Sequence, residues 1–164
     1  MLLVLTLLVV AATRNASRAQ TIVINEVCSS NYSILQNSSG DYGDYVELYN
    51  SSDFDISLLN WTLNTESSLM ESYTFGDVVL APHSYLLLVY NASANASGST
   101  QLSTAVGLNT TVPCLEMPCA ISSAGEIVYL RNSSKKTVDA VDIPALRQDT
   151  VYARGRDGNR EWDI

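Results

Sequence analysis

A chain of 164 residues and 17.8 kDa has room for one domain, and its 46% apolar content gives that domain a core, which excludes a disordered chain. With 17 acidic against 9 basic residues the formal charge is −8 and the pI about 4.4, so the electrostatic footprint of a nucleic-acid binder, or of a protein drawn to anionic lipid, is absent. One His and three Cys leave too few soft ligands for an ordinary zinc site, and no GxGxxG, Walker A or HExxH string occurs.

From Leu2 to Ala12 every residue except Thr6 is apolar. The run is too short to cross a roughly 30 Å hydrocarbon core but suits the h-region of a secretory signal. The small residues Ser17 and Ala19 place cleavage after Ala19, giving a signal peptide over 1–19, a mature domain over 20–164 and export to the cell exterior without membrane insertion.

Beyond the leader, apolar residues alternate with period two in short segments divided by Ser, Asn, Gly and Asp clusters, and no stretch keeps the helical period for two turns. Strands are predicted near Ile22–Cys28, Asp44–Asn50, Ile56–Leu63, Tyr73–Phe75, Tyr85–Tyr90, Ile127–Arg131 and Thr137–Ile143, with an extended piece around Val151–Arg154. Seven or eight short strands make an all-β, two-sheet sandwich. The first strand's alternation is ambiguous between its two faces. In the third, Leu59, Trp61 and Leu63 point together, which makes Trp61 a core residue. Tyr85–Tyr90 is apolar on both faces and reads as a central strand covered on its outer side, with the long, hydroxyl-rich Asn91–Pro118 segment as the cover. Turns are predicted at Asn132–Lys135 and Arg154–Asn159.

Nine asparagines stand in N-x-S/T triplets: Asn15 in the leader, then Asn31, Asn37, Asn50, Asn60, Asn91, Asn95, Asn109 and Asn132. Chance gives about two or three, so the excess points to a glycosylation acceptor in a eukaryotic secretory pathway. The other source of such triplets is Asn/Ser turn chemistry. Three cysteines in an oxidising compartment imply one pair and one leftover thiol; CLEMPC favours Cys114 with Cys119, while a bridge from Cys28 would need the first strand beside that loop.

Several segments, read in order, are INEV at Ile24–Val27, GDYGDYVELYN at Gly40–Asn50, LLNWTL at Leu58–Leu63, LAPHSYLLLVY at Leu80–Tyr90, ISSAGEIVYLRN at Ile121–Asn132, KTVDAVDI at Lys136–Ile143 and YARGRDGNREW at Tyr152–Trp162. Together they resemble the lamin-tail domain, which implies an immunoglobulin-like β-sandwich over about residues 21–162. Two departures stand out: Asn60 and His83 occupy positions where the family usually carries Gly.

Asp41, Asp44 and Glu47, with Glu26 beside them if the first two strands are neighbours, offer hard oxygen ligands for Ca²⁺ or, alternatively, ordinary turn and hydrogen-bonding acids. His83, the sole imidazole, sits in a Pro-His-Ser turn with no nucleophile motif, which argues against an enzyme. Tyr32, Tyr42, Tyr45 and Tyr49 form a candidate contact surface. All bases after the leader lie from Arg131 onward, and the sequon-free closing segment presents Arg154, Arg156, Arg160 and Trp162 as a partner-binding patch for an acidic protein or glycan. The resulting expectation is a secreted, N-glycosylated, noncatalytic binding or adhesion module. Its alternatives are an accessory domain of a longer secreted or surface protein, attached to a hydrolase for instance, and a nuclear, lamin-like structural domain.

Overall fold

A computed structural model describes residues 21–65, 72–96, 102–107 and 110–164. The segment expected to be a leader, with Asn15, and the triplet at Asn109 lie outside the described residues. Fourteen strands occur among those described: β1 (Ile22–Cys28), β2 (Leu35–Gln36), β3 (Tyr45–Asn50), β4 (Ile56–Ser57), β5 (Thr62–Thr65), β6 (Tyr73–Thr74), β7 (Val79–Leu80), β8 (Tyr85–Tyr90), β9 (Ser103–Gly107), β10 (Thr110–Met117), β11 (Glu126–Arg131), β12 (Thr137–Ile143), β13 (Tyr152–Arg154) and β14 (Trp162–Asp163). A large sheet runs β14-β13-β1-β3-β8-β10-β9-β2, a small one β12-β11-β5-β6, and β4 pairs with β7. The fold is the expected all-β, immunoglobulin-like sandwich.

Apolar side chains of the two sheets meet between them. Ile22, Ile24, Val46, Leu48, Leu88 and Leu115 come from the large sheet and Leu63, Val128, Leu130 and Ile143 from the small one, all essentially inaccessible to water. A bulge resolves the ambiguous first strand. Asn25 and Glu26 together oppose Glu47, where the β1–β3 register slips. The extra residue lets Ile22, Ile24 and Val27 all join the core, although their spacing breaks period two.

Two expectations about strands are corrected. The run Ile56–Leu63 is divided, because the Trp61 N–H donates to the Leu58 carbonyl at 2.9 Å and closes a turn with Asn60 at φ 62°. Leu59 is therefore exposed, while Trp61 packs half-buried against the core. The segment from Asn91 to Pro118 is not a loop: it contains β9 and all of β10, and β10 lies parallel to β8. Cover for the outer side of β8 comes from Ile34 and Leu35, which pack with Cys28, Tyr45, Val89 and Cys114 in a second, smaller apolar cluster.

That correction also removes the expected disulfide. Cys28, Cys114 and Cys119 are all buried, and none is in a disulfide. Cys114 to Met117 is continuous strand at roughly 3.3 Å per residue, which carries the chain about 10 Å from Cys114 before Cys119 is reached, beyond the roughly 7 Å limit for a bridge. The two sulfurs also belong to different clusters, Cys114 on the outer side of the large sheet and Cys119 in the main core.

Candidate functional site

On the outer face of the large sheet a cleft of about 330 Å³ has two kinds of wall. One is apolar, from Ile34, Leu35, Leu87, Val112 and Pro113. Polar groups of β1, β3 and β8 make the other: Glu26, Tyr45, Glu47 and Tyr85. The bulge builds this side, since it turns Glu26 outward to stand directly opposite Glu47 and leaves Asn25 unpaired beside them. Asn25 then acts as a hub. Its Nδ2 donates to Glu47 Oε1 (2.9 Å) and to Asp157 Oδ1 (3.0 Å), and its Oδ1 accepts from the Gly158 N–H at 3.0 Å. Tyr45 Oη donates to Glu26 Oε1 at 2.9 Å, and Tyr85 Oη donates to Asp157 Oδ2.

The electrostatics follow from burial. Desolvation raises the Glu47 pKa, the Asn25 hydrogen bond pulls it down, and the charges of Glu26 and Asp157 push it up again. The Tyr45 phenol is forced far upward by burial and then by Glu26, so it stays a donor. Tyr85 is pushed up to about 12, first by its hydrogen bond to Asp157. No Lys or Arg among the described residues pairs with these carboxylates. The site thus offers carboxylate acceptors beside an aliphatic wall, a surface suited to a cationic group carried on an apolar one.

Among the acids singled out from sequence, the neighbouring of Glu26 and Glu47 is found, but the Ca²⁺ trio of Asp41, Asp44 and Glu47 is not assembled. Asp44 turns the other way. Its Oδ2 accepts from the Ile121 N–H at 2.9 Å, and its pKa is raised by burial and by Glu126. Asp41 is exposed in a loop, its N–H donating to Asn37 Oδ1. Among the described residues no group of three His, Cys, Asp or Glu could hold a metal ion.

The closing patch is also redistributed. The Arg154 side chain is only 7% exposed: its Nε donates to the Ile24 carbonyl (2.7 Å), its guanidinium pairs with Asp139 Oδ2 (2.8 Å), and Cζ lies 4.7 Å from the Trp162 ring centre. Trp162 stacks on Tyr152 at 4.8 Å. Both residues are therefore internal fasteners, and only Arg156 and Arg160 of the proposed anchors are exposed. Sequence reasoning could not separate the three arginines, because only the fold reveals the carboxylate across from Arg154.

The sequons divide in the same way. The Asn31, Asn37, Asn50 and Asn91 side chains are buried and occupied. Asn50 Nδ2 donates to the carbonyls of Phe54, Leu80 and Ala81, and Asn31 Nδ2 donates to those of Leu35 and Gly43. Asn37 Nδ2 donates to the Tyr90 carbonyl, and Asn91 Nδ2 to Ser39 Oγ and Glu116 Oε2. A glycan takes one of the two amide hydrogens, so in the folded chain it would break a bond at Asn31, Asn50 and Asn91, where Nδ2 donates more than once. In Asn37, Asn50, Asn91 and Asn132 the side-chain oxygen accepts the N–H of the triplet's own Ser, so the N-x-S pattern there is an Asx turn.

The profile of the Lamin Tail Domain matches residues 15–145, most of the chain. The chain belongs to the lamin tail domain family. A comparison with curated proteins yields no match. Lamin tail domains are noncatalytic immunoglobulin-like domains, and His83 fits that description: it lies in an exposed turn, bonded to Asp53 Oδ1 (3.0 Å) and Tyr49 Oη (3.3 Å). The two departures from the lamin-tail pattern now have a physical meaning. Asn60 has φ 62° and His83 φ 54°, so both stand in the left-handed region that glycine enters without strain. The closing hairpin of β13 and β14 lies outside the matched residues, yet β13 pairs directly with β1 and completes the sheet that carries the cleft.

Proposed function

We propose that this lamin tail domain is a secreted, N-glycosylated, noncatalytic binding module that holds an extracellular protein partner in the outer cleft by a lysine or arginine side chain flanked by apolar residues. The observation that carries this reading is the cleft itself, in which Glu26 and Glu47, with Asp157 bonded to its Tyr85, lack a cationic partner among the described residues and face an aliphatic wall. Exposed acceptors for glycans, Asn60 and Asn95, and the half-exposed Asn132 all sit by one end of the small sheet, where Thr62 pairs with Arg131 and with Thr74. Glycans there leave the outer face of the large sheet open. The apolar leader over residues 2–12 supports export.

The reading is tested by selecting peptides from a displayed random library on the full chain. Lys- or Arg-containing apolar peptides should be enriched, and Glu47→Gln with Asp157→Asn should weaken their binding by about tenfold or more, since a charged hydrogen bond is worth about 1.5–3 kcal/mol. Enrichment of acidic peptides, or binding unaffected by the double substitution, would overturn it. Secretion is checked separately by N-terminal sequencing of medium from a eukaryotic host, with Gln20 as the expected first residue.

A further inference from the structure

A second cleft, of about 410 Å³, opens where the 29–34 loop meets Tyr42, Tyr90 and the Ile121–Ser123 segment. Its surface is unlike that of the outer cleft. Tyr32 and Tyr42 are 62% and 46% exposed, and Tyr90 joins them half-buried. Ser29, Ser30, Ser123 and Asp44 line the same cleft. Ser29, which lines this cleft, is 3% exposed, and its hydroxyl has no hydrogen-bond partner among the described residues. Buried hydroxyls are normally satisfied, so this one marks a place for a polar atom that the chain does not supply.

The backbone that carries the rings is held in place without a ligand. Asp149 accepts the N–H groups of Tyr32 (2.7 Å) and Ser33 (2.9 Å) and the Ser33 hydroxyl (2.7 Å). Asn31 bonds the Gly43 carbonyl and so ties the loop to the segment bearing Tyr42. A Cβ at Gly43 would fall 2.2 Å from the Tyr90 carbonyl oxygen, so only glycine lets Tyr42 and Tyr90 approach this closely.

Aromatic faces, hydroxyls and a carboxylate acceptor on a preorganised surface match a polyol with an apolar C–H face. Asp44 and the absence of Lys or Arg among the lining residues disfavour a phosphate or an acidic sugar. We propose that this cleft is a binding site for a neutral saccharide, separate from the outer cleft and independent of its role.

The test is an NMR titration of the full chain, produced without N-glycans, with neutral β-1,4-linked glucose and N-acetylglucosamine hexasaccharides. Inorganic phosphate and a sulfated hexasaccharide serve as anionic probes. Saturable shifts should centre on Tyr32, Tyr42 and Tyr90. Tyr32→Ala and Tyr42→Ala should each weaken binding tenfold or more while leaving the melting temperature within about 3 °C, as expected of exposed residues. Ser29→Ala should weaken binding without lowering the melting temperature. The proposal is overturned if neither neutral sugar gives saturable shifts, if only the anionic probes do, if the Tyr32/Tyr42 double variant binds like wild type, or if the shifts map to the outer cleft.

Discussion

Asn50 and Asn95 stand in the same kind of triplet and live in opposite surroundings. Asn50 is fully buried, its amide donating to three carbonyls and its oxygen accepting from both the N–H and the hydroxyl of Ser52. Asn95 is exposed beside the edge of the small sheet, near where the Thr74 N–H donates to the Ala96 carbonyl. A short polar triplet therefore has two physical meanings. It is a turn device where the chain doubles back under cover and an accessible amide where the turn faces water.

The largest effect that would break this contrast is glycan occupancy. In protein secreted from a eukaryotic host, peptide mapping should find sugar at Asn60, Asn95 and Asn132 and none at Asn31, Asn37, Asn50 or Asn91 in the folded fraction. A folded, monodisperse species carrying a glycan at any of the four would erase the distinction. Next is truncation of the amide. Asn50→Ala should cost about 2–4 kcal/mol, because it strands buried carbonyls and an N–H, whereas Asn95→Ala should stay within about 0.5 kcal/mol; urea unfolding measures both.

A smaller effect concerns the acids near those turns. Glu47→Gln keeps the acceptor for Asn25 and removes the repulsion from Glu26 and Asp157, so it should raise the melting temperature by about 2–4 °C at neutral pH. Because the folded-state pKa of Glu47 is raised, the folded chain binds its proton more tightly than the unfolded chain. Wild-type stability therefore falls as pH rises through that window, and the advantage of Glu47→Gln should vanish below about pH 4.3. Asn60→Gly, which relieves the left-handed backbone, should add about 0.5 kcal/mol in the same urea assay while deleting an open acceptor. The smallest effect is at Asp149, whose carboxyl is held below its usual range first by the Ser33 hydroxyl and then by the Tyr32 N–H. Its clamp should persist as pH falls to about 3.9 and be lost as pH drops through the depressed folded-state value, seen as a shift of the Tyr32 amide resonance.

The sequence was most legible where burial imposes a plain rhythm. The limits of β1, β8 and β12 coincide with the runs Ile22–Cys28, Tyr85–Tyr90 and Thr137–Ile143. It was least legible where a strand is made of hydroxyl residues: Ser103–Gly107 and Thr110–Pro113 alternate too weakly to separate from a loop, and they pair with each other. A bulge defeats any two-residue rhythm, so the outward turn of Glu26 could not be read, although the meeting of Glu26 with Glu47 could be foreseen. Among the tyrosines, proximity in sequence misled. Tyr32 and Tyr42 share a cleft, but Tyr45 is buried on the outer sheet face and Tyr49 packs 5.0 Å from Tyr85.

The place of β1 sets the order in which the molecule can be made. It sits between β3 and β13, and Arg154 bonds the Ile24 carbonyl across a separation of 130 residues. A ribosome that has passed residue 100 has delivered Asn31, Asn37, Asn50 and Asn91 but no part of the strand that seals the sheet. Contacts of such long range also form slowly, on the order of milliseconds to seconds. All four asparagines consequently wait in water through most of synthesis, reachable by whatever enzyme reads their triplets, and shelter arrives only with the last stretch of chain. Exclusion of a glycan from these four amides is then a property of the closed fold alone, and a slower elongation rate should enlarge the pool of molecules modified too early to close.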